Sequence, residues 1–115
     1  MNDAGGQKDV LTYLEMREEF LPDASDLFER TYKNRRPISH DQQKYFSNPA
    51  GNVIAACVYD GEKMVGFYGI IPCFFKVGGQ QILGAQSVDT MVDPDYQGRG
   101  LFVRLAEMGF ELAND

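Results

Sequence analysis

Runs of apolar residues predict four strands in this sequence, at residues 10–16, 53–59, 64–77 and 80–92. Two tight turns, the DGEK segment at 60–63 and the glycine pair at 78–79, join the last three runs into a meander. Pro72 interrupts the third run and predicts a bend or a bulge there. These patterns indicate a mainly antiparallel sheet of about four strands.

Apolar residues at helical spacing predict three helices. The first begins at Pro22 and ends in basic residues 33–36, which suit the negative end of a helix dipole. The second is short, and the spacing of Ser39 and Gln42 predicts a capping box at its start. The third carries an apolar stripe that includes Leu101 and Leu105. The element order predicts an α+β fold in which two N-terminal helices and one C-terminal helix pack on the sheet.

Length and composition indicate one globular domain. The chain has 115 residues, of which 43% are hydrophobic and 24% charged. We assign residues 1–9 to a flexible lead-in and residues 10–115 to the domain. The N-terminus lacks the segments of a signal peptide, and no apolar run is long enough to cross a bilayer. A cytoplasmic location is the default expectation.

The formal net charge of −6 argues against nucleic acid as a partner, because binding to a phosphate backbone needs a basic face. A small anionic ligand remains compatible with local donors. Cys57 and Cys73 each lie in an apolar run, which predicts two buried free thiols. The single histidine, His40, is expected on the surface of a helix, so the sequence predicts no metal site.

The segment QGRGLF, residues 97–102, places two glycines and an arginine where the third helix begins. The first turn of a helix has four backbone N–H groups without intrahelical partners, and the helix dipole adds positive charge there. Gly98 and Gly100 allow close approach of a ligand, and Arg99 can bind phosphate oxygens. The segment therefore predicts a phosphate site. A plain strand-to-helix turn is the alternative, and the glycines alone do not decide between the two.

The longer segment SVDTMVDPDYQGRGLFVRLAEMGFELA resembles the GNAT superfamily of acetyl-CoA-dependent acyltransferases. Gln97 and Gly100 match the first two fixed positions of the family's loop motif, whereas Phe102 stands where a small residue is usual. The resemblance extends over nearly the whole chain from about Val10. It implies an acyl-CoA N-acyltransferase-like fold and transfer of an acetyl group from acetyl-CoA to a small-molecule or peptide amine.

The resemblance also implies which residues bind the cofactor. The loop helix would bind the pyrophosphate of coenzyme A, and the backbone of the preceding strand would pair with the pantetheine arm. The implied cofactor-binding residues are Met91, Val92, Gln97, Gly98, Arg99, Gly100, Leu101 and Phe102.

Two roles stay open at this point. Asp89 is the only carboxylate of its strand and is a candidate catalytic base, but a carboxylate satisfied by nearby donors is the favoured alternative, because the family varies in its base. Arg104, one helical turn after Gly100, either reaches cofactor phosphates or pairs with Glu107 or Glu111.

In the resembled family, further strands and a helix follow the loop helix, whereas this sequence ends at residue 115. We therefore expect the N-terminal part of an acetyltransferase domain, truncated after that helix. The alternative function is a coenzyme A-binding or non-catalytic α+β fragment. An uncovered strand edge and helix face also predict a two-fold homodimer.

Overall fold

The computed structural model describes residues 11–114, apart from the side chain of Val88. The lead-in assigned to residues 1–9 lies outside the described residues. The strands are β1 Leu11–Glu15, β2 Ile54–Asp60, β3 Lys63–Val77 and β4 Gln80–Val92. The helices are α1 Leu21–Tyr32, α2 Ile38–Phe46 and α3 Leu101–Ala113, with 3-10 turns at Glu18–Phe20 and Pro94–Tyr96.

The strands form one antiparallel sheet in the order β1-β2-β3-β4, which follows the order of the chain over residues 11–114. Glycines with positive φ make the tight turns: Gly61 at 65° in the β2–β3 turn, and Gly78 at 59° and Gly79 at 83° in the β3–β4 turn. These are backbone conformations that residues with a Cβ adopt at a cost. The expected α+β fold is confirmed.

Helices cover both faces of the sheet. The face under α1 and α2 buries Leu27, Tyr45 and Phe67 together with apolar residues of β2 and β4. The other face buries Leu101 and Leu105 of α3 against β2 and β3. Successive side chains of β2 point to opposite faces of the sheet and so contribute to both cores. Ala55 and Cys57 pack in the core under α1 and α2, and Ala56 and Val58 pack in the core under α3.

The capping box expected at Ser39 is wrong. Pro37, at φ −59° and ψ 142°, is already the extended residue before the helix, so α2 begins at Ile38 and Ser39 lies inside its first turn. The amide of Gln42 donates to the carboxylate of Glu18 at 2.7 Å rather than back to the start of its own helix. His40 is exposed on α2, as expected.

The first helix also ends earlier than its basic residues suggested. Lys33 adopts the left-handed conformation with φ 59°, which terminates α1 at Tyr32. Arg36 therefore lies in the connection to α2, where its guanidinium can turn toward the sheet. Both cysteines are free thiols, but only Cys57 is buried. The expectation that Cys73 is buried is wrong, because this residue lies in the half-covered part of β3.

The bend or bulge predicted at Pro72 lies instead near Gly69. Pro72 pairs in register with Ala85, whereas the register shifts between Tyr68 and Ile70, so that residues 88 and 89 of β4 oppose Gly69. The Pro72 carbonyl accepts from the Asn48 amide at 3.2 Å, on the side away from β4. The Pro72 nitrogen, which carries no hydrogen, faces that same side, so the β3–β4 pairing loses no hydrogen bond.

The β3–β4 hairpin extends beyond the rest of the sheet. β2 pairs with β3 only as far as Ile70, and beyond it, among residues 11–114, the segments 71–77 and 80–86 pair only with each other. We call these two segments and their turn the ribbon. It contributes to the elongated dimensions of 62 × 29 × 22 Å.

Candidate functional site

The predicted phosphate loop is a tight turn between β4 and α3. The carboxylate of Asp93 accepts from the Asp95 N–H at 2.9 Å and opens the 3-10 turn. Gly98 and Gly100 then adopt left-handed conformations, with φ 83° and 78°. The backbone thus favours glycine at both positions, and α3 begins directly after the second one.

The start of α3 presents its backbone donors without a side-chain cap. Gly100 occupies the N-cap position and has no side chain to accept from the first turn. The N–H of Arg104 bonds back to the Gly100 carbonyl at 3.3 Å, and the three preceding N–H groups have no intrahelical acceptor. A Cβ placed on Gly98 or Gly100 would meet no atom within 4 Å. Donors, dipole and open approach therefore coincide at this position.

A cavity of about 140 Å³ joins the loop to the end of β4. It is lined by Val92, Tyr96, Gln97, Gly98, Gly100, Leu101, Phe102 and Val103. Six of the eight residues predicted to bind the cofactor therefore surround one space. The other two, Met91 and Arg99, do not line it.

The backbone direction along β4 separates Val92 from Met91. The N–H of Asp93 donates to the Val65 carbonyl of β3 at 2.8 Å. Because successive residues of a strand point their backbone groups to opposite sides, Met91 also faces β3, whereas Thr90 and Val92 face outward. Met91 is buried, and its side chain packs in the core under α1. Only Val92 of the predicted pair presents its backbone on the outer edge.

Side chains already cover the outward carbonyls at this end of β4. The amide of Gln97 donates to the Val92 carbonyl at 3.1 Å, and the Tyr32 hydroxyl donates to the Thr90 carbonyl at 3.0 Å. A sheet edge with unpaired backbone groups tends to pair with other strands. The hydrogen bonds from Gln97 and Tyr32 reduce this tendency at the loop end of β4.

Arg99 lies beside the loop and not within the cavity. Its guanidinium stacks over the Tyr96 ring at 4.8 Å and donates to the Asp95 carbonyl at 3.2 Å. Arg104 points elsewhere: its guanidinium lies over the ring of Tyr13, 5.0 Å from the centroid. Of the two alternatives for Arg104, the structure shows neither a position at the loop cavity nor, within residues 11–114, an ion pair with a glutamate.

A buried carboxylate that the sequence analysis did not single out holds the loop in place. Asp93 is 2% exposed and pairs with Arg30 of α1 at 2.7 Å and with Lys63 of β3 at 3.7 Å. Burial alone would raise the pKa of Asp93, but the Asp95 N–H, Arg30 and Lys63 outweigh it and hold that pKa below its ordinary value. Arg30 is 63 residues away in sequence, so no local pattern signals the pair.

Tyr96 adds a second anchor for the loop. Its hydroxyl donates to the carboxylate of Asp60 at the end of β2. The ammonium group of Lys63 lies 5.6 Å from the centre of the same ring. The loop is therefore tied to the β2–β3 turn as well as to α1.

Asp89 lies on the opposite face of the sheet, in a cluster with α2. Its carboxylate accepts from the Arg36 guanidinium and the Lys44 ammonium, both at 3.1 Å, and from the Tyr45 hydroxyl. Burial acts to raise the pKa of Asp89, but the Tyr45 hydrogen bond and the two cations outweigh it and lower that pKa. Burial and the Asp89 contact raise the pKa of Tyr45. This geometry fits the satisfied carboxylate, because a lowered pKa makes a weak base.

The described residues hold no group of three or more His, Cys, Asp or Glu side chains arranged for a metal ion. Over residues 11–114, no helix has the length and apolar character needed to cross a membrane.

The comparisons with known proteins agree with this geometry. Residues 12–115 match the family described as "Acetyltransferase (GNAT) domain", and the chain belongs to that family. No curated protein matches the chain.

Solved structures share the fold at low sequence identity. The GCN5-related N-acetyltransferase from Kribbella flavida superposes with a TM-score of 0.73 at 19% identity, over 97% of this chain and 29% of that one. The GCN5-related glucosamine N-acetyltransferase region of a fungal multi-domain GH3 beta-N-acetylglucosaminidase gives 0.70 at 17% identity, over 95% of this chain and 13% of that one. An aminoglycoside acetyltransferase from an uncultured soil metagenomic sample gives 0.67 at 19% identity, over 90% and 70%. The chain therefore spans less than a third of the first two proteins.

Proposed function

We propose that this domain transfers an acetyl group from acetyl-CoA to an amine acceptor. The observation that carries the proposal is the uncapped, glycine-flanked start of α3, which shares one cavity with the outward backbone of Val92. Membership of the GNAT acetyltransferase family supports acyl transfer in general. Two of the solved structures are named as N-acetyltransferases, which supports nitrogen as the acceptor atom.

The residues present fit coenzyme A. The N–H groups at the start of α3 suit a pyrophosphate, because they combine donors with the positive end of a dipole in open space. Val92 offers backbone groups on the outer edge of β4 to the amides of a pantetheine arm. When bound, the cofactor supplies an acyl group activated as a thioester.

Gln97 connects the two parts of this site. Its backbone lies in the loop and its side chain donates to the Val92 carbonyl. A carbonyl oxygen has two acceptor lone pairs, so an amide of the cofactor can bond to the Val92 carbonyl beside the Gln97 side chain or in its place. Where one hydrogen bond replaces another, the exchange has a small net cost.

The acceptor amine must lose a proton during acyl transfer. Asp89 is unsuited to take it, because its carboxylate is engaged by three donors on the other face of the sheet. Tyr96 lines the cavity, but its hydroxyl donates to Asp60. The described residues therefore have the roles of binding and orientation, and neither Asp89 nor Tyr96 is placed to take the proton.

An acetyl-transfer assay tests the proposal. Acetyl-CoA is mixed with the protein and an aminoglycoside, a polyamine or a basic peptide, and release of free coenzyme A thiol is followed together with the mass of the acceptor. An acceptor that gains one acetyl group at a rate proportional to enzyme concentration is the expected result. Binding of coenzyme A without turnover of any amine would favour the non-catalytic alternative, and absence of binding would reject both.

A further inference from the structure

Tyr32, the last residue of α1, reaches from its helix to the outer edge of β4. Its hydroxyl donates to the Thr90 carbonyl at 3.0 Å, although 58 positions separate the two residues in the sequence. Tyr32 is 49% exposed, so this contact lies at the surface of the domain. Because a carbonyl oxygen can only accept a hydrogen bond, the single hydroxyl hydrogen of Tyr32 is the one that is used.

A chain of contacts fixes the position of this hydroxyl. The Tyr32 ring packs on the ring of Phe28, with 4.8 Å between the two ring centres. The guanidinium of Arg36 lies 4.2 Å from the centre of the Phe28 ring. Ion pairs with Asp41 at 2.6 Å and with Asp89 at 3.1 Å hold that guanidinium. The hydroxyl is therefore held by packing and by ion pairs behind it, as a group that orients a substrate must be.

The Thr90 carbonyl lies where the proposed cofactor would carry its acyl group. Thr90 and Val92 face outward on the same edge of β4, and two residues of a strand span roughly 7 Å. With the pyrophosphate at the start of α3 and the arm beside Val92, an extended cofactor continues along this edge toward Thr90. The thioester is at the end of the arm farthest from the pyrophosphate, so it comes beside Thr90 and the Tyr32 hydroxyl.

The hydroxyl oxygen of Tyr32 is left as a hydrogen-bond acceptor. Its hydrogen is engaged by Thr90, and no described residue donates to the oxygen. An amine that attacks a thioester must point its lone pair at the carbonyl carbon, and an N–H group held by the protein fixes that direction. The nitrogen gains positive charge during the attack, so a hydrogen bond from this N–H group strengthens in the transition state.

We propose that Tyr32 orients the amine acceptor, with its hydroxyl oxygen accepting a hydrogen bond from the attacking nitrogen. The hydroxyl keeps its own hydrogen on the Thr90 carbonyl and takes no proton from the amine. This role rests on the proposed acetyl transfer and names the side chain that the acceptor meets. It also gives the α2 cluster a function, because Asp89 acts on the acceptor only by positioning Arg36 behind Phe28.

Steady-state kinetics of Tyr32→Phe test this role, because the change removes the hydroxyl and keeps the ring on Phe28. The acceptor used is whichever of an aminoglycoside, a polyamine and a basic peptide the wild type acetylates fastest. We expect kcat to fall roughly tenfold, as for one lost hydrogen bond that strengthens in the transition state. The KM for acetyl-CoA and the calorimetric affinity for coenzyme A are expected to stay within about twofold of the wild type.

Tyr13→Phe is the matched control, because it removes the same hydroxyl group at the other edge of the sheet. Tyr13 is a half-buried residue of β1, and its ring contact with Arg104 does not need the hydroxyl. We expect this variant to have the kcat of the wild type. Urea denaturation of both variants is expected to give the midpoint of the wild type.

The outcomes separate the role of Tyr32 from the proposed function. An unchanged kcat in Tyr32→Phe, with a wild type that acetylates the amine, would overturn the role and leave the function intact. A lower kcat that comes with weaker coenzyme A binding or a lower urea midpoint would also overturn it, as would loss of one limb of the pH profile of kcat, which indicates proton transfer. A wild type that acetylates none of the three amines would reject the proposed function and this role with it.

Discussion

The two ends of β4 solve the problem of an exposed strand edge in different ways. At the end near the loop, polar side chains of Tyr32 and Gln97 cover the outward carbonyls. At the ribbon end, exposed apolar side chains such as Leu83 surround the strand instead. Hydrogen bonds to side chains exchange readily with those of a polar ligand, whereas exposed apolar surface gains stability only when it is covered. The loop end of β4 therefore suits a small polar ligand, and the ribbon end does not.

The largest effect on the loop end is expected from Asp93→Asn. The change removes the charge that Arg30 and Lys63 share and leaves Arg30 without its buried partner. We expect the free energy of unfolding to fall by about 3 kcal/mol, as when one member of a buried ion pair is removed. Urea denaturation at pH 7 measures the loss.

Asp26→Asn is the matched control, because Asp26 is 58% exposed and pairs with Arg35 at 3.5 Å on the surface. We expect it to change stability by about 0.5 kcal/mol or less. Equal losses in the two variants would contradict the anchoring role of Asp93.

Local patterns predicted most of the fold. The glycine turns at Gly61 and Gly79 and the stripe of α3 carry signals within a few residues, and the corresponding elements form where expected. Local signals failed at Ser39, where a capping box was predicted, because Pro37 is already the residue before the helix. They also failed at Pro72, where a bend or bulge was predicted, because the bulge lies opposite Gly69.

The site was predictable only where one segment builds it. The loop and the start of α3 are continuous in sequence, and the cavity is lined by most of the residues expected from that segment. The contacts of Asp93 with Arg30, and of Asp89 with Arg36, join residues 63 and 53 positions apart. Nothing local marks such pairs, and the outward direction of Val92 follows only from the observed register.

The variant Asp89→Asn tests whether the contacts of Asp89 with Arg36, Lys44 and Tyr45 stabilise the fold. The pH dependence of its stability, relative to the wild type, is the informative measurement. The folded pKa of Asp89 lies below its ordinary value of 3.8. The stability it provides is therefore fully present above that value and is lost as pH falls through the folded pKa. We expect the variant to be about 2 kcal/mol less stable than the wild type at pH 7, and the difference to shrink near about pH 3.

Urea denaturation of both proteins from neutral to acidic pH checks this result. Asp41 is a buried carboxylate of α2 that also pairs with Arg36, at 2.6 Å, and burial and the charge of Asp89 raise its pKa. Its contribution to stability has the opposite sign, and Asp89→Asn reduces it together with the contribution of Asp89. A difference that stays constant over the whole range would exclude a charged Asp89 as the anchor.

Arg99→Ala should have the smallest effect. The guanidinium stacks on Tyr96 outside the cavity, so it adds positive charge beside the site rather than lining it. We expect coenzyme A affinity to fall by about 1 kcal/mol, less at high salt, with no change in turnover at saturating cofactor. Calorimetry at two salt concentrations checks the first part. Lost turnover with intact binding would give Arg99 a different role.

The most direct test of the cofactor site compares two glycines with the same backbone φ. Gly98 in the loop and Gly79 at the ribbon turn both have φ 83°, and a Cβ added to either glycine would meet no atom within 4 Å. Ala at either site is strained by the positive φ, but only Gly98→Ala places a methyl group beside the start of α3. Calorimetric titration with coenzyme A should show at least tenfold weaker binding for Gly98→Ala and wild-type affinity for Gly79→Ala. Equal affinity in both variants would place the cofactor elsewhere and contradict the assignment of this loop.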